Sequence, residues 1–459
     1  MTHKSDVDVA IIGAGQAAIP LARKLADAGR SVVLIERERL GGSCVNFGCT
    51  PTKAALASSR LVAHARAAAA FGVDIPEVRP DFAAVIARAR GFADRARTAL
   101  DAQWATLDNP CLIRGHARLG GRDGERFRVL VDGGPELRAA QVVLNTGTRS
   151  AMPPVPGLPA LPVMNAENWL ERHRLPARLI MMGSGPIGLE LAQFYRRMGS
   201  DVVLLERNRH VAPKEDPDVA GVLHDAFEAE GVRIMTGVEA IHAERQGDGV
   251  RLHLKSGEVV DGSDVFVATG RRPNTDELGL DSVGLALGDG GVVAVDPRLA
   301  TSVPGLWAVG DIRGGLQFTH TAWDDHRILL SQLLGDGART TDRVVPYAVF
   351  TEPELGRVGL NEAEAGRLGI DHRVHRYGFD VIAKAKEEGD ARGFIKILTD
   401  PGGDRLLGAA VLGKDGAELV HLFALLMHTG VGLRAIRDGI YAHPTLSEGL
   451  QSAVTAALA

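Results

Sequence analysis

Long apolar runs are absent from this chain of 459 residues, and cysteine and aromatic residues are scarce. No run of about 18 apolar residues could span a bilayer, and the polar N-terminus has no secretory signal, so we expect a cytoplasmic protein without membrane contacts. The formal net charge of −5 gives no reason to expect nucleic acid as a partner. An apolar fraction of 45% and a charged fraction of 24% are ordinary for a globular protein, and the length predicts about two to four domains.

Only three cysteines are present, and two of them, Cys44 and Cys49, have four residues between them. On a regular helix, Cα atoms five positions apart lie about 8.6 Å from each other, whereas a disulfide requires about 7 Å or less. A bonded pair would therefore need a bent backbone, which Gly48 could supply. In a chain without a secretory signal such a pair favours redox chemistry, and two buried free thiols are the alternative. No second cysteine pair or histidine cluster lies nearby, so we predict no metal site.

The segment around these cysteines, GGSCVNFGCTPTK at residues 41–53, resembles the redox-disulfide segment of the class I flavoprotein disulfide reductases, the pyridine nucleotide-disulfide oxidoreductases. The paired glycines, the cysteine spacing, the proline and the lysine all stand in register. The resemblance implies a redox-active Cys44–Cys49 disulfide, FAD and a pyridine nucleotide. It also implies an α/β fold with two Rossmann-like dinucleotide-binding domains, for FAD and for NAD, and a C-terminal α+β dimerisation domain.

A first dinucleotide-binding pattern occupies the N-terminus. The apolar run at residues 7–12 is followed by a glycine turn, a helix and a second apolar run that ends at Glu36. Gly13 permits the tight turn, Gly15 lets a phosphate approach the backbone, and Ala18 takes the third position of the fingerprint. Glu36 would accept hydrogen bonds from a ribose. In the family this unit binds FAD.

Other segments are similar to those that contact FAD in the family. They include IRGHA ending at Ala117, NTGT beginning at Asn145, and AVGD ending at Asp311, with Thr319 eight residues later. In relatives the aspartate binds the ribityl chain of the flavin, and a helix N-cap is the alternative role for it. The resemblance implies an FAD site formed by Gly13, Gly15, Ala18, Glu36, Gly42, Ser43, Lys53, Ala117, Thr146, Gly147, Asp311 and Thr319.

The fingerprint recurs after the apolar run at residues 179–182 and ends at the acidic residue Glu206. Two such units imply two dinucleotides, and the second matches the family's NAD(P) site. Because Glu206 can bond both hydroxyls of an unmodified ribose and would repel a 2′-phosphate, we predict a preference for NAD(H) over NADP(H), which the nearby Arg207 and Arg209 could soften. The NAD site is predicted to comprise Gly183, Gly185, Ile187, Gly188, Glu190, Glu206 and Gly270.

The C-terminal segment HPTLSE, residues 443–448, resembles the family's catalytic-base motif. It implies that His443 is the base and that Glu448 orients its imidazole; a histidine held in a tight proline turn is the alternative. In relatives this histidine comes from the partner subunit. A homodimer with sites shared between subunits is therefore implied.

The resemblance also gives the two sulfurs different roles. Cys49 would lie nearer the flavin, and Cys44 would be the interchange thiol that meets the acceptor. A thiolate is nucleophilic and a thiol much less so, which is why the exchange needs a base. Lys53 and Glu190 would form an ion pair close to the flavin, with an ordinary surface ion pair as the alternative for Lys53.

The dimerisation domain should contain strands near residues 345–350, 373–379 and 393–412 and helices near residues 361–369, 415–428 and 432–438. The predicted domains are an FAD-binding domain in two parts (1–150 and 271–344), an NAD(P)-binding domain (151–270) and the dimerisation domain (345–459).

The predicted activity passes electrons from NAD(P)H through the flavin and the cysteine pair to a disulfide or another small acceptor. Mercuric reductases usually carry a cysteine pair at the C-terminus, and none is present in this tail, although the cysteine segment looks mercuric-reductase-like. A dihydrolipoamide dehydrogenase is one alternative. A flavin-loaded protein of the NADH-oxidase or binding type with a vestigial disulfide is an alternative of a different class.

Overall fold

The computed structural model describes residues 6–459, and its first part is built on a mainly parallel sheet. The elements are β1 (Asp6–Ile12), α1 (Ala18–Asp27), β2 (Val32–Glu36), α2 (Gly42–Asn46), α3 (Cys49–Ala67), α4 (Phe82–Trp104), β3 (Cys111–Arg114), β4 (Ala117–Asp123), β5 (Arg126–Val131), β6 (Glu136–Leu144) and β7 (Thr148–Ser150).

The strand order of this sheet is β3-β2-β1-β6-β5-β4. β1 lies parallel to β2 and β6, whereas β4, β5 and β6 pair antiparallel. Apart from Asp6 and Asp8 at the start of β1 and Glu36 at the end of β2, both strands are apolar, as expected of parallel strands that are covered on both faces. Their carboxyl ends meet at one edge, so the glycine turn after β1 lies beside Glu36 at the end of β2.

The second part repeats the arrangement with β8 (Arg178–Met182), α5 (Pro186–Met198), β9 (Asp201–Glu206), α6 (Pro217–Ala229), β10 (Arg233–Thr236), β11 (Ala240–Gln246), β12 (Gly249–Leu254), β13 (Val259–Gly262) and β14 (Asp264–Val267). A parallel sheet has the order β10-β9-β8-β14, and β11, β12 and β13 form a separate antiparallel sheet.

The chain then returns to the first part through β15 (Arg271–Pro273), β16 (Leu306–Ala308) and α7 (Thr319–Leu334). β15 pairs antiparallel with β7, and β16 lies parallel to β6. This return places the residues after β16 at the same edge as the first glycine turn.

The C-terminal part consists of β17 (Tyr347–Val349), β18 (Glu354–Gly359), α8 (Glu362–Arg367), β19 (Arg373–Gly378), α9 (Ala383–Glu387), β20 (Phe394–Thr399), β21 (Leu406–Gly413), α10 (Gly416–Thr429), α11 (Arg434–Arg437) and α12 (Leu446–Ala457). Its antiparallel sheet has the order β17-β18-β21-β20-β19. The range predicted as strand over residues 393–412 contains β20 and β21, divided by a turn at residues 400–405 that includes Gly403 (φ +87°). The predicted α/β architecture with two Rossmann-like units and a C-terminal α+β unit is confirmed.

Within residues 6–459, none of the helices has the length and apolar character needed to cross a bilayer.

Candidate active site

The two cysteines lie on either side of a helix break. α2 ends at Asn46 and α3 begins at Cys49, and the backbone turns through Gly48 (φ −95°, ψ −119°) between them. A Cβ atom at Gly48 would lie 2.9 Å from the carbonyl oxygen of Ser43, so a larger residue would push the two helices apart. The predicted bend is therefore present, and it brings Cys44 and Cys49, both free thiols, close enough for each to shift the pKa of the other.

The two thiols have opposite acidities. The hydrogen bond from Cys44 is the largest influence on Cys49, and together with the Thr319 hydroxyl and the charge of Lys53 it outweighs burial and lowers the pKa of Cys49 to about 6. The same hydrogen bond, followed by burial, raises the pKa of Cys44. The Thr319 hydroxyl lies 3.2 Å from the Cys49 sulfur. In the dithiol form, Cys49 is thus the thiolate and Cys44 keeps its proton.

The predicted ion pair between Lys53 and Glu190 is present, with 2.7 Å between Nζ and Oε2. The Glu190 side chain is only 4% exposed, and its other oxygen accepts the backbone N–H of Phe350 at 3.0 Å. The Lys53 ammonium also lies 4.5 Å from the centre of the Phe350 ring, a cation–π distance. The pair therefore ties the redox helix to the second nucleotide-binding unit and to the C-terminal part.

The first glycine turn makes a close backbone approach. A Cβ atom at Gly13 would lie 2.5 Å from the carbonyl oxygen of Asn145, and one at Gly42 would lie 2.9 Å from the Cα atom of Gly15. The Glu36 carboxylate accepts two backbone N–H groups, of Ala14 and Glu38, each at 2.8 Å. Since a carboxylate has about four acceptor positions, Glu36 retains capacity for ribose hydroxyls. These features fit a dinucleotide bound with its pyrophosphate on the turn.

A single cleft of about 2130 Å³ joins both glycine turns, the thiols and the ion pair, a volume above that of pockets for one small ligand. Of the predicted cofactor residues, Ala18 and Gly188 do not line it. Ala18 is fully buried, and a Cβ atom at Gly188 would lie 2.0 Å from the Gly183 carbonyl oxygen. Both positions serve the close packing of helix on strand. The predicted residues that line the cleft are Gly13, Gly15, Glu36, Gly42, Ser43, Cys44, Cys49, Lys53, Ala117, Thr146, Gly147, Gly183, Gly185, Ile187, Glu190, Glu206, Gly270, Asp311 and Thr319.

Asp311 lies in the helical turn that follows β16. Burial raises the pKa of its carboxyl, and the Arg271 charge and the Thr148 hydroxyl only partly oppose that effect. The Thr148 hydroxyl donates to Asp311 Oδ2 at 3.1 Å, and Arg271 Nε donates to Thr148 at 2.6 Å. The Asp311 carboxylate at the cleft wall thus keeps free acceptor positions, which suit the hydroxyl groups of a ligand.

Glu206 differs from Glu36 in that its hydrogen-bonding capacity is used. Ser184 donates to it through its N–H (3.0 Å) and hydroxyl (2.6 Å), and Asn208 through its N–H (2.8 Å) and side-chain amide (2.5 Å). Burial raises the pKa of Glu206, but these hydrogen bonds together outweigh it and lower the pKa below its usual value. Glu206 is therefore a buried anion at the cleft wall, while the neighbouring Arg207 is exposed.

His443 and Glu448 meet each other but not the thiols. His443 Nδ1 lies 2.8 Å from Glu448 Oε2, next to the hydrogen bond by which Thr445 caps α12. The two side chains are 68% and 36% exposed, and neither residue lines the cleft. Within one chain, the predicted base is thus separate from the cysteine pair.

Several cleft residues have no signal in the sequence. Phe350 and Tyr347 line the cleft wall, and the Tyr347 ring stacks on Phe318 with 5.2 Å between ring centres. Trp169 donates its indole N–H to the carbonyl oxygen of Phe47, between the two cysteines, at 2.9 Å. The segments that contain these residues carry no local motif, so only their positions in space connect them with the site.

Comparison with known proteins agrees with this site. The family model described as pyridine nucleotide-disulphide oxidoreductase matches residues 7–325, and the dimerisation-domain model of the same family matches residues 345–454. The chain is 33% identical to the probable pyridine nucleotide-disulfide oxidoreductase RclA of Escherichia coli, over 96% of this chain and 97% of that protein. It is 33% identical to a dihydrolipoyl dehydrogenase of Thermus scotoductus (98% and 97% covered) and 32% identical to a mercuric reductase of Streptomyces lividans (97% and 95% covered).

Among solved structures, the Cu(II) complex of the HOCl-induced flavoprotein disulfide reductase RclA from Escherichia coli matches with a TM-score of 0.89 at 32% identity, covering 99% of this chain and all of that one. LpdA from Mycobacterium tuberculosis matches with a TM-score of 0.89 at 27% identity, with the same coverage. Both family models and these full-length relatives give the same assignment. The chain belongs to the pyridine nucleotide-disulphide oxidoreductase family of FAD-dependent enzymes.

Proposed function

We propose that this chain is an NADH-dependent reductase in which Cys44 and Cys49 alternate between a dithiol and a disulfide and deliver two electrons to a small acceptor. The observation that carries the proposal is the hydrogen-bonded thiol pair with opposite acidities, in the wall of a cleft that also contains two glycine turns. When bound, FAD would supply the two-electron relay between NADH and the cysteine pair.

The FAD contacts we propose follow from the cleft wall. Gly13, Gly15 and Gly42 would admit the pyrophosphate to the backbone, Glu36 would bind the ribose with its remaining acceptor positions, and Asp311 would accept hydrogen bonds from the ribityl hydroxyls. Other proposed contacts, which share the same wall, are those of Ser43, Lys53, Ala117, Thr146, Gly147 and Thr319.

The proposed exchange with a disulfide acceptor proceeds in two steps. The Cys44 sulfur, once deprotonated, attacks one sulfur of the acceptor, forms a mixed disulfide and expels the other acceptor sulfur as a thiolate that takes up a proton. The Cys49 thiolate then attacks Cys44, closes the Cys44–Cys49 disulfide and releases the second acceptor thiol. Two electrons have moved from the cysteine pair to the acceptor.

The first step needs a base because Cys44 keeps its proton beside the Cys49 thiolate. We propose that this base is His443 of the partner subunit, oriented by Glu448 at 2.8 Å. In its own chain the His443 imidazole is exposed and lies outside the cleft, and the chain carries the family's dimerisation domain. A two-fold dimer could bring each histidine to the other subunit's cysteines, because the same surfaces meet twice.

NADH is the proposed electron donor. Glu206 is buried and ionised at the end of β9. The 2′-phosphate of NADPH would lie beside this negative charge, which solvent screens only weakly. Since the hydrogen-bonding capacity of Glu206 is already taken by Ser184 and Asn208, charge repulsion rather than new ribose bonds should govern the preference. A dithiol that is reduced again in each turnover suits the reducing cytoplasm.

A metal ion is the second candidate acceptor. Thiolates are soft ligands that bind copper and related ions, a relative is a mercuric reductase, and the RclA structure is described as a Cu(II) complex. The dihydrolipoyl dehydrogenase relatives point instead to a small dithiol–disulfide substrate. The same cysteine pair would serve either acceptor.

The proposal is tested by anaerobic titration with NADH followed by a panel of acceptors: lipoamide, oxidised glutathione, Cu(II), Hg(II) and a quinone. We expect two new free thiols per chain on reduction, and acceptor turnover that is lost in Cys44→Ser and in Cys49→Ser. Cys111→Ser is the matched control and should retain full turnover. Reduction without new thiols, or turnover that survives in both redox-cysteine variants, would contradict a redox role for the pair.

A further inference from the structure

Asp325, on α7, is a fully buried carboxylate outside the cleft wall. Its Oδ2 accepts the backbone N–H of Gly310 (2.8 Å) and Nε of Arg313 (2.8 Å). Its Oδ1 accepts Nη2 of Arg313 (3.1 Å) and Nη2 of Arg343 (2.5 Å). The carboxylate therefore has both oxygens bonded and two arginines to balance its charge, the condition under which a buried anion is tolerated.

The backbone that Asp325 holds is the turn that carries Asp311. Gly310 adopts φ +71°, and a Cβ atom there would lie 3.1 Å from the side-chain oxygen of Asn145. The turn runs from Gly310 to Arg313, so Asp325 bonds its first residue through the main chain and its last through the guanidinium. One side chain thus holds both ends of the turn that contains Asp311.

We propose that Asp325 is a positioning residue for the flavin: it holds the Gly310–Arg313 turn so that Asp311 presents its carboxylate to the cleft. This inference rests on the proposed role of Asp311 in binding FAD. It assigns to α7 a function in cofactor retention that is separate from thiol chemistry.

The neighbouring Asp324 provides a matched control. It is on the same helix and also pairs with Arg343, as well as with Arg327 at 3.1 Å, but its side chain is 25% exposed and it has no bond to the Gly310–Arg313 turn in the part of the chain that the structure describes. Loss of either carboxylate removes an ion pair between α7 and Arg343. Only loss of Asp325 releases the turn.

The experiment follows FAD release from diluted holoenzyme by the rise in flavin fluorescence, for Asp325→Asn, Asp324→Asn, Asp311→Asn and the Asp311→Asn/Asp325→Asn double variant. We expect the FAD Kd to rise about 10- to 100-fold in Asp325→Asn, as for the loss of hydrogen bonds to a charged group, and to stay within about threefold in Asp324→Asn. In the double variant the effects should be less than additive, because Asp325 acts through Asp311.

A pH profile supplies a readout that a purely structural ion pair would not move. The groups that act on Asp311 are Arg271 on β15, Thr148 on β7 and Arg313 in its own turn, which favour its ionised form, and Asp325 on α7, which opposes it. Removing the Asp325 charge should therefore lower the pKa of Asp311. The acid limb of FAD binding, where Asp311 gains a proton, should shift to lower pH in Asp325→Asn and not in Asp324→Asn.

The outcomes separate the inference from the proposed function. An unchanged Kd in Asp311→Asn would refute the role of Asp311 itself. A raised Kd in Asp311→Asn with a wild-type Kd in Asp325→Asn, or additive effects in the double variant, would refute the positioning role alone. If Asp325→Asn does not fold, Arg313→Gln, which removes two of the same hydrogen bonds, should raise the Kd with the same dependence on Asp311; a wild-type Kd in that variant would equally refute the inference.

Discussion

The acidity of Cys49 depends chiefly on a hydrogen bond that Cys44 donates, and this dependence gives a prediction that separates two substitutions of the same residue. The pKa of Cys49 is lowered from its usual 9.0 to about 6. At pH 7 a thiol with that pKa is about 90% ionised, against about 1% for an unperturbed cysteine, and only the ionised form is a strong nucleophile. Cys44→Ser keeps an O–H donor beside the sulfur, whereas Cys44→Ala removes it.

We expect Cys49 to titrate close to pH 6 in Cys44→Ser and to move upward toward 9 in Cys44→Ala. Thr319→Val should give a smaller upward shift, because its hydrogen bond, at 3.2 Å, ranks below that of Cys44 among the influences on Cys49. The ionised fraction of Cys49 at neutral pH should therefore fall in Cys44→Ala by more than in Thr319→Val.

The assay measures the rate of iodoacetamide alkylation of Cys49 against pH in anaerobic holoenzyme reduced with a phosphine, with the modified residue identified by mass spectrometry. The midpoint of the profile reports the pKa of Cys49. Differences in access to the sulfur change only the plateau rate. Cys111 gives no background in this range, because burial raises its pKa. Equal midpoints in Cys44→Ser and Cys44→Ala would refute the donor role of Cys44, and a wild-type midpoint near 9 would refute the thiolate itself.

Three further substitutions test the proposed base, the choice of nucleotide and a buried ion pair outside the cleft. His443→Gln should slow disulfide turnover by about 10²- to 10⁴-fold, the range for positioned proton transfer, while reduction of the flavin by NADH, measured by stopped flow, stays near normal. If the sites are shared, mixing His443→Gln with Cys44→Ser subunits should restore about a quarter of wild-type activity. No recovery in confirmed heterodimers would place the base elsewhere. The wild-type kcat/KM should be higher for NADH than for NADPH. Glu206→Ala should reduce this difference, because it removes the repelling charge and frees the Ser184 and Asn208 donors. A wild-type preference for NADPH would show that Glu206 does not govern the choice of nucleotide. Lys396 on β20 is fully buried against Asp216 and Asp218, at 2.7 and 2.9 Å. Lys396→Met should therefore destabilise the protein by roughly 3–5 kcal/mol in urea unfolding, because two carboxylates lose their buried cation. The control Lys384→Met removes a partly exposed ion pair with Glu388 and should cost much less; equal costs would contradict the burial argument.

The parts of this enzyme that the sequence determined by itself are those whose chemistry depends on neighbours along the chain. The turn at Gly13 requires a positive φ and a close carbonyl, and the bend at Gly48 follows from the distance between two cysteines on one helix. An apolar run before each turn and an acid after the next strand complete a local pattern. Such patterns gave both nucleotide-binding units and the redox pair.

The tertiary structure alone decided which distant side chains act on those patterns. Thr319 reaches the Cys49 sulfur from 270 residues away, and Glu190 reaches Lys53 from 137 residues away; the resemblance to a family suggested the second contact, but no pattern in the chain indicated the first. The fold also used up the acceptor positions of Glu206 while leaving those of Glu36 open, although the two glutamates end equivalent strands. A fingerprint specifies the backbone path of a strand, a turn and a helix, whereas the charge and hydrogen bonds of a side chain depend on whatever the rest of the chain packs against it.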